Sequence, residues 1–328
     1  MRTHQLGGRN VSVIGLGTAD FGGKCPESRA REFLDAYTEI GGNLIDTARV
    51  YGDFSTPRDG ESEKVIGRWM SERKNRADLF LSTKGGHPRL RGLRLPRLSR
   101  ADILADMEAS LEALQTDRVD IYWLHRDDLL RPVGEIMETL QQLIEDGHTR
   151  MTGVSNWKAG RIAEANAYAA AHGLTPLTAD QPQFSLAPSR MIGDPTLVTM
   201  DRRLWTLHRD TGMPCFCFSS QAGGFYAKLD SLGAAKLPLA LKAQYLRRDS
   251  AAVLRRLREL SAGSGRSVSA LSLAWLTCQP FPTFALAGVS RPEHVRSLAE
   301  AGDTVLTDEE RDSLRVFSPV LHTPARKP

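Results

Sequence analysis

The sequence lacks any apolar run approaching the roughly 20 residues of a membrane helix, and its opening MRTHQLGGRN carries charges with no apolar stretch behind them. Neither a membrane span nor a secretory signal is expected, and the reading places the protein in the cytoplasm. Cysteine is scarce, and Cys25, Cys215, Cys217 and Cys278 form no CxxC pair and no metal-ligand spacing. A disulfide framework and a structural metal site are therefore set aside in favour of free thiols in a reducing compartment. Cys215 and Cys217 stand two apart in an apolar run, so as a strand they share one face.

Lysine is also scarce, with nine against 34 arginines, and the net charge is only +4. The densest basic stretch holds Arg89, Arg91, Arg94, Arg97 and Arg100, interrupted by Pro88, Gly92 and Pro96. No aromatic residue interleaves these arginines, so a nucleic-acid surface is not expected. A solvated loop able to attract an anionic ligand is the better reading.

What the chain does have is an average supply of core and surface. Hydrophobic residues are 41% and charged residues 25%, which suits a globular fold. Eight short runs are rich in Val, Ile, Leu and Phe: Val11–Leu16, Asn43–Asp46, Leu79–Thr83, Val119–Leu124, Met151–Val154, Leu177–Asp180, Pro214–Phe218 and Thr283–Val289. Most lack strict alternation, as expected of parallel strands covered on both faces.

Helix-like segments separate the runs. Ser28 is placed as a helix cap before Phe33, Leu34, Tyr37 and Ile40, with Gly41-Gly42 as the stop. Pro132 opens a segment that closes at Gly147, and Asn156–His172 closes at Gly173. Asp194-Pro195 is read as opening a helix that runs to Gly212. Ser250 and Ser267 are caps of later helices, Pro292 opens another, and Thr307 with Glu310 has capping-box spacing.

Eight strands alternating with helices, with no long linker and no internal repeat, predict one domain over residues 1–328, a single (β/α)8 TIM barrel with extra loops at the C-terminal face of the strands. The rival is an open doubly wound sheet. Gly15, Gly17, Gly22 and Gly23 cluster after the first run, but the third glycine comes too late for GxGxxG, so a tight loop at a strand end is preferred.

In a parallel barrel the catalytic groups lie at the carboxyl ends of strands. Asp46 ends Asn-Leu-Ile-Asp, Lys84 ends Phe-Leu-Ser-Thr-Lys, His125 ends Ile-Tyr-Trp-Leu-His, and Tyr51 lies just past Asp46. Singly, each has an ordinary explanation as a turn cap, a solvated cation, a structural imidazole or a packing ring. Together they match the needs of carbonyl reduction. Hydride arriving at carbon leaves negative charge on oxygen, which a positioned acid must neutralise. A tyrosine hydroxyl serves if a neighbouring ammonium lowers its pKa from about 10. A carboxylate anchors the ammonium, and an imidazole orients the carbonyl.

Asp46-Thr47-Ala48-Arg49-Val50-Tyr51-Gly52 resembles the aldo-keto reductase signature, in which Asp and Tyr stand five apart and Gly follows. Ser82-Thr83-Lys84, Leu124-His125-Arg126-Asp127-Asp128 and Gly153-Val154-Ser155-Asn156 match later family motifs in the right order, and the resemblance runs from about Gly15 to about Glu300. It implies the barrel fold and reduction of aldehyde, ketone or sugar carbonyls by NADPH, with NADH as the second candidate. Tyr51 is then the general acid, Lys84 lowers its pKa, Asp46 anchors Lys84, and His125 orients the substrate. Ser155, Asn156 and Gln181 hold the nicotinamide carboxamide, and Phe218 stacks on its ring. Ser219, Ser220 and Gln221 line the pyrophosphate path, with Gly17 and Thr18 at the first strand end.

The resemblance also makes Gly288-Val289-Ser290-Arg291-Pro292-Glu293-His294 an adenosine phosphate site, with Arg291 and His294 as its polar groups. Gly288 and Val289 stand where many members carry Lys, and Ser297-Leu298 replaces a common Glu-Asn pair, so this site departs from the usual family pattern. Phe21, Trp157 and Tyr226, beside Tyr51 and His125, are the candidates to meet the substrate, and Trp123 is expected to pack within its strand. Arg247-Arg248 and the arginine stretch point to anionic or sugar-like substrates. The partner is thus a small-molecule carbonyl compound, with no nucleic acid and no membrane, and no metal. Two other readings are a nucleotide-binding regulatory subunit with little turnover and an enzyme working mainly in oxidation.

Overall fold

A computed structural model describes residues 1–52, 60–88, 95–190 and 194–315. Eight strands close into a parallel barrel: β3 (Ile14–Gly17), β4 (Leu44–Asp46), β5 (Phe80–Gly85), β6 (Val119–Leu124), β7 (Thr149–Ser155), β8 (Ala179–Gln181), β9 (Cys215–Cys217) and β10 (Thr283–Gly288), which returns to pair with β3. This is the (β/α)8 barrel that the alternating pattern predicts. Each of the eight apolar runs overlaps one of these strands, with bounds that differ by up to three residues.

The first run differs in one respect. Val11–Leu16 is split at Val13, with its front half in β2 (Arg9–Ser12), which forms an antiparallel hairpin with β1 (Thr3–Leu6). Only Ile14–Gly17 enters the barrel. The split is hidden in sequence because Val11, Val13 and Ile14 are all buried, in different surroundings. Leu6 and Val11 cluster with Leu44, Phe80, Ile121 and Phe216, so the hairpin closes the interior at the amino ends of the strands.

A period of two along each strand stacks the interior in layers. Leu44 precedes Asp46 by two, Ser82 precedes Lys84, Trp123 precedes His125, and Ala179 precedes Gln181. Low in the barrel, Phe216 stacks on Phe284 at 4.4 Å and meets Trp123 at 4.9 Å, contacts worth about 0.5–1.5 kcal/mol each beyond area burial. Trp123 packs in its strand as expected, its indole N–H donating to Ser82 Oγ at 2.7 Å. Two glycines make room for this filling. A Cβ on Gly153 would sit 2.4 Å from the Trp123 ring, and one on Gly15 would sit 2.7 Å from a Leu44 methyl.

The outer layer includes α1 (Glu27–Glu39), α2 (Glu61–Arg73), α3 (Arg100–Leu114), α4 (Val133–Glu145), α5 (Ala159–His172), α6 (Arg202–Thr211), α7 (Phe225–Lys236), α8 (Leu239–Tyr245), α9 (Ser250–Ser264), α10 (Val268–Thr277), α11 (Pro292–Asp303) and α12 (Asp308–Arg315). Several expected ends hold. Gly173 and Gly212 take left-handed C-cap positions, Ser267 Oγ accepts from Ala270 N, and Pro292 opens α11. Thr307 and Glu310 form the reciprocal capping box.

Other ends are corrected. Ser28 lies inside α1, whose N-cap is Pro26. Pro132 is the N-cap of α4 and Asp249 that of α9, so Ser250 is the first helical residue there. The segment after Asp194 is not helical until Arg202, where Asp201 caps by accepting from Leu204 N. The Asp194 carboxylate is used elsewhere, on Thr196 and on Arg126. Cys215 and Cys217 do share a face, with sulfurs 3.7 Å apart. Arg89, Arg91 and Arg94 lie outside the described residues. Among the described residues no helix is long and apolar enough to cross a membrane, and no group of three His, Cys, Asp or Glu side chains is placed to hold a metal ion.

Candidate active site

The predicted residues gather at the carboxyl ends of the strands because the inward-pointing register carries them there. Asp46 ends β4, Lys84 is in β5, and their side chains meet at 2.5 Å in a fully buried ion pair. Lys84 Nζ also donates to the Thr47 carbonyl at 2.8 Å. The other Asp46 oxygen accepts from Ser82 Oγ at 2.7 Å and from Gln181 Nε2 at 3.1 Å. A buried charge pair persists when its remaining lone pairs are also satisfied, and here they are.

Tyr51 stands over this pair. Lys84 Nζ lies 4.7 Å from the Tyr51 ring centroid and hydrogen-bonds to the Tyr51 hydroxyl. Burial is the largest influence on that hydroxyl and pushes its pKa up; Lys84 pulls it down, Asp46 raises it, and Arg126 lowers it again. The balance lies above the ordinary tyrosine value, which corrects the expectation of a net lowering: the ammonium acts in the expected direction, but burial outweighs it. Lys84 itself is pulled down most strongly by burial, yet Asp46 and Tyr51 together hold its pKa above the ordinary value. The ammonium is thus retained in a fully buried position.

His125 follows β6 and presents its ring at 5.8 Å to Tyr51, edge to face. Burial, then His87, Arg126 and Lys84, hold its pKa well below the usual histidine value. It is therefore a neutral imidazole that can hydrogen-bond a carbonyl without carrying charge.

On the adjoining strands Ser155, Asn156 and Gln181 form a linked set. Ser155 Oγ donates to the Gln181 carbonyl at 2.8 Å and accepts from Asn156 Nδ2 at 3.0 Å. Asn156 Nδ2 also reaches the His125 carbonyl at 3.1 Å, while Asn156 Oδ1 accepts from Val198 N. Asn156 has φ +64°, uncommon for a residue other than glycine and a mark of a constrained site. Gly17 pairs with Asp46 in the barrel, and Thr18 donates both N–H and Oγ to the Asp46 carbonyl.

The remaining predicted residues fall into two further places. Phe218 is half-buried just after β9, followed by exposed Ser219 at φ +53°. Ser220 Oγ donates to the Leu286 carbonyl of β10, and Gln221 shares a small hollow with Ser220 and Tyr226. Beyond β10, Arg291 N–H groups meet His294 Nε2 at 3.0 and 3.3 Å, and Ser290 Oγ lies 3.3 Å from His294 Nδ1. Burial and then Arg291 hold His294 below its usual pKa, Glu293 opposes them, and the charge of Lys228 of α7 adds a further lowering. Two cations, a neutral imidazole, a hydroxyl and the start of α11 are a donor set that fits a phosphate.

Of the predicted substrate contacts, Phe21 is buried, 6.3 Å from Phe33. Trp157 is fully buried and donates its indole N–H to the Arg126 carbonyl. Tyr226 is buried against Phe225 and hydrogen-bonds to Ser250, so it joins the Ser220 hollow rather than Tyr51 and His125. The sequence reading missed His87, whose ring lies 4.7 Å from His125, and Arg126, whose buried guanidinium binds the His125 carbonyl, Thr196 Oγ1 and Asp194. Both were near the motifs, three residues past Lys84 and one past His125. Lys228 had no local signal, because only the fold brings α7 to the start of α11.

A parallel barrel whose rim joins an ion-paired lysine, a tyrosine and a neutral imidazole has the construction of a barrel enzyme. The chain belongs to the Aldo/keto reductase family, whose family model matches residues 13–318, and it is an oxidoreductase. It is 29% identical over 316 residues to an aryl-alcohol dehydrogenase of Pestalotiopsis microspora, covering 93% of this chain and 76% of that protein. It is 34% identical over 194 residues to a norsolorinic acid reductase of Aspergillus flavus, a match covering 55% of this chain and 48% of that protein. The aldo-keto reductase ausK of Aspergillus calidoustus is 30% identical over 322 residues, with 92% and 78% covered.

Proposed function

We propose that this protein, acting as one barrel domain, reduces an aldehyde, ketone or sugar carbonyl with NADPH, and that Tyr51 is the general acid. The observation that carries the reading is the buried chain of contacts Asp46–Lys84–Tyr51 with His125 edge-on to the tyrosine ring. A reduced nicotinamide, when bound, supplies the hydride that reaches the carbonyl carbon. The rest falls to side chains. Lys84 stabilises negative charge as it grows at the Tyr51 hydroxyl, easing transfer of the phenolic proton to the carbonyl oxygen. Asp46 keeps Lys84 charged, and His125 donates to the carbonyl oxygen and sets its angle. Burial favours the protonated phenol before the reaction, which suits a residue that must begin as an acid.

Ser155, Asn156 and Gln181 hold a carboxamide at the rim, Phe218 covers the ring face, and Gly17, Thr18, Ser219, Ser220 and Gln221 follow the path of the nucleotide. Arg291, His294 and Lys228 take the adenosine phosphate, which supports NADPH over NADH. Phe21 is the remaining predicted substrate wall. Trp157 acts through Arg126, and Tyr226 supports the nucleotide side. The relatives named for aryl-alcohol dehydrogenation and norsolorinic acid reduction put aromatic carbonyl compounds first in the trial panel.

The test is NADPH consumption with aromatic aldehydes, other activated aldehydes, quinones and sugars. In Tyr51→Phe, turnover should fall by at least about 10²-fold while nucleotide affinity is kept. In Arg291→Ala, affinity for NADPH should fall about tenfold and that for NADH much less. Tight binding without turnover on any substrate would replace the enzyme by a nucleotide sensor. Binding of neither nucleotide would sink the assignment.

A further inference from the structure

We propose that His294 sets the choice between the two nucleotides by taking up a proton: its imidazole is neutral in the free protein and becomes a cation when a 2′-phosphate is held beside it. The inference rests on the reading of this corner as the adenosine phosphate site.

The protonation state of the free ring follows from its contacts. Arg291 Nη2 and Nε lie 3.0 and 3.3 Å from His294 Nε2. A guanidinium has only donors, so Nε2 is the accepting nitrogen and carries no proton. The ring proton is then on Nδ1, 3.3 Å from Ser290 Oγ, which accepts it. The backbone on both sides is tied down: His294 N–H donates to the Arg291 carbonyl at 3.0 Å, and its own carbonyl accepts from Ser297 Oγ at 2.7 Å. The half-buried ring is thus held against the guanidinium assigned to the phosphate.

The charges around the ring explain why it stays neutral. Burial lowers its pKa most, Arg291 comes next, Glu293 pulls the other way, and Lys228 of α7 lowers it further. Lys228 Nζ is itself placed by the Gly223 carbonyl at 2.7 Å. Two of the three lowering influences are therefore cations, the same ones that meet a phosphate. A phosphate ester carries close to two negative charges above its second pKa of about 6, enough to offset both. The ring then faces an anion, and an opposite charge within about 4–6 Å favours the protonated form. Nε2 changes from acceptor to donor, and the corner gains a third cation. NADH has no 2′-phosphate and leaves the ring neutral. Because the bound ring has the higher pKa, the added affinity is greatest at low pH and is lost as pH rises through the bound value.

Adenosine 2′,5′-bisphosphate probes this corner without the nicotinamide end, so calorimetry on the full-length protein needs no turnover. Between pH 6.5 and pH 8.5, above the second phosphate pKa, the wild-type Kd should rise about tenfold. Binding at pH 7.5 should take up protons, seen as a heat that differs between HEPES and Tris buffers. His294→Gln is neutral at every pH, so its Kd should change less than about twofold over the same range, with no proton uptake. His294→Arg is a cation at every pH; its Kd should be equally flat and, at pH 8.5, about tenfold tighter than wild type. A wild-type curve parallel to that of the glutamine variant, or binding without proton uptake, overturns the proposal and leaves the phosphate corner standing. No binding of the bisphosphate at any pH overturns both, and turnover with NADH then decides the reductase reading separately.

Discussion

At the amino ends of the strands the barrel interior holds Leu44, Phe80, Ile121 and Phe216, closed by Leu6 and Val11 of the hairpin. Two to four residues further along the same strands stand Asp46, Lys84 and His125. The backbone and the direction of the side chains are alike in both layers, so chemistry alone separates them. Below, each side chain is matched by apolar neighbours and adds stability through burial and packing. Above, each buried polar group depends on a named partner: Asp46 on Lys84, Ser82 and Gln181, and Lys84 on Asp46 and the Thr47 carbonyl. A loss in the floor costs packing alone, whereas a loss in the rim also leaves a buried charge without its partner and removes a group from the site.

The largest expected effect comes from breaking the rim. Lys84→Met strands the Asp46 carboxylate, so stability should fall by about 3–5 kcal/mol and turnover by about 10³-fold or more. Adding Asp46→Leu turns this part of the rim into a copy of the floor. The double variant should regain most of the stability in denaturant titration and none of the turnover. Stability that stays low in the double variant would mean that the apolar layer cannot be extended upward, and the contrast between the ends would then be one of shape.

The matching experiment on the floor is Phe216→Ala. Phe216 is fully buried between Phe284 and Trp123, so the loss should be about 3–5 kcal/mol, seen as a lower unfolding midpoint. Turnover per folded molecule should stay within about twofold. A large fall in turnover would show that the floor sets the position of the rim, and the two ends could no longer be treated separately.

How far this arrangement was legible depended on the range of the signal. Every barrel strand was marked by its own apolar run; Asp46 closed one such run and Lys84 and His125 each directly followed one, so strand and site were read together. The hairpin was lost because Val11 and Ile14 look alike in sequence although one plugs the barrel base and the other lines its wall. Asp194 was read as a helix start because Asp-Pro is a helix-opening pair; its carboxylate is instead used on Arg126, 68 residues away in sequence. The net upward push on Tyr51 had no sequence signature, since burial is set by elements far apart in the chain. His87 was within reach, three residues past Lys84, but only the ring contact with His125 gives it meaning.

The smallest of these effects compares two buried carboxyls rather than two layers. Asp46 faces inward to a cation, while Glu63 of α2 faces the outer wall of β5, where its Oε1 accepts from Thr83 Oγ1 at 2.5 Å. Burial dominates there and pushes the Glu63 pKa from 4.5 up to about 7, against the opposing pull of Thr83, Ser110 and Arg49. Between those values the folded protein keeps a proton that the unfolded chain has released. The stability contributed by protonated Glu63 is therefore complete below about pH 4.5, declines as pH rises, and is gone above about pH 7. Glu63→Gln stays neutral throughout, so its stability relative to wild type should rise by about 3 kcal/mol between pH 4.5 and pH 8, measured as unfolding free energy at each pH. Parallel curves for the two proteins would mean that Glu63 ionises in its ordinary range, and that a hydroxyl pair on the outer wall serves a buried carboxylate as well as Lys84 does inside.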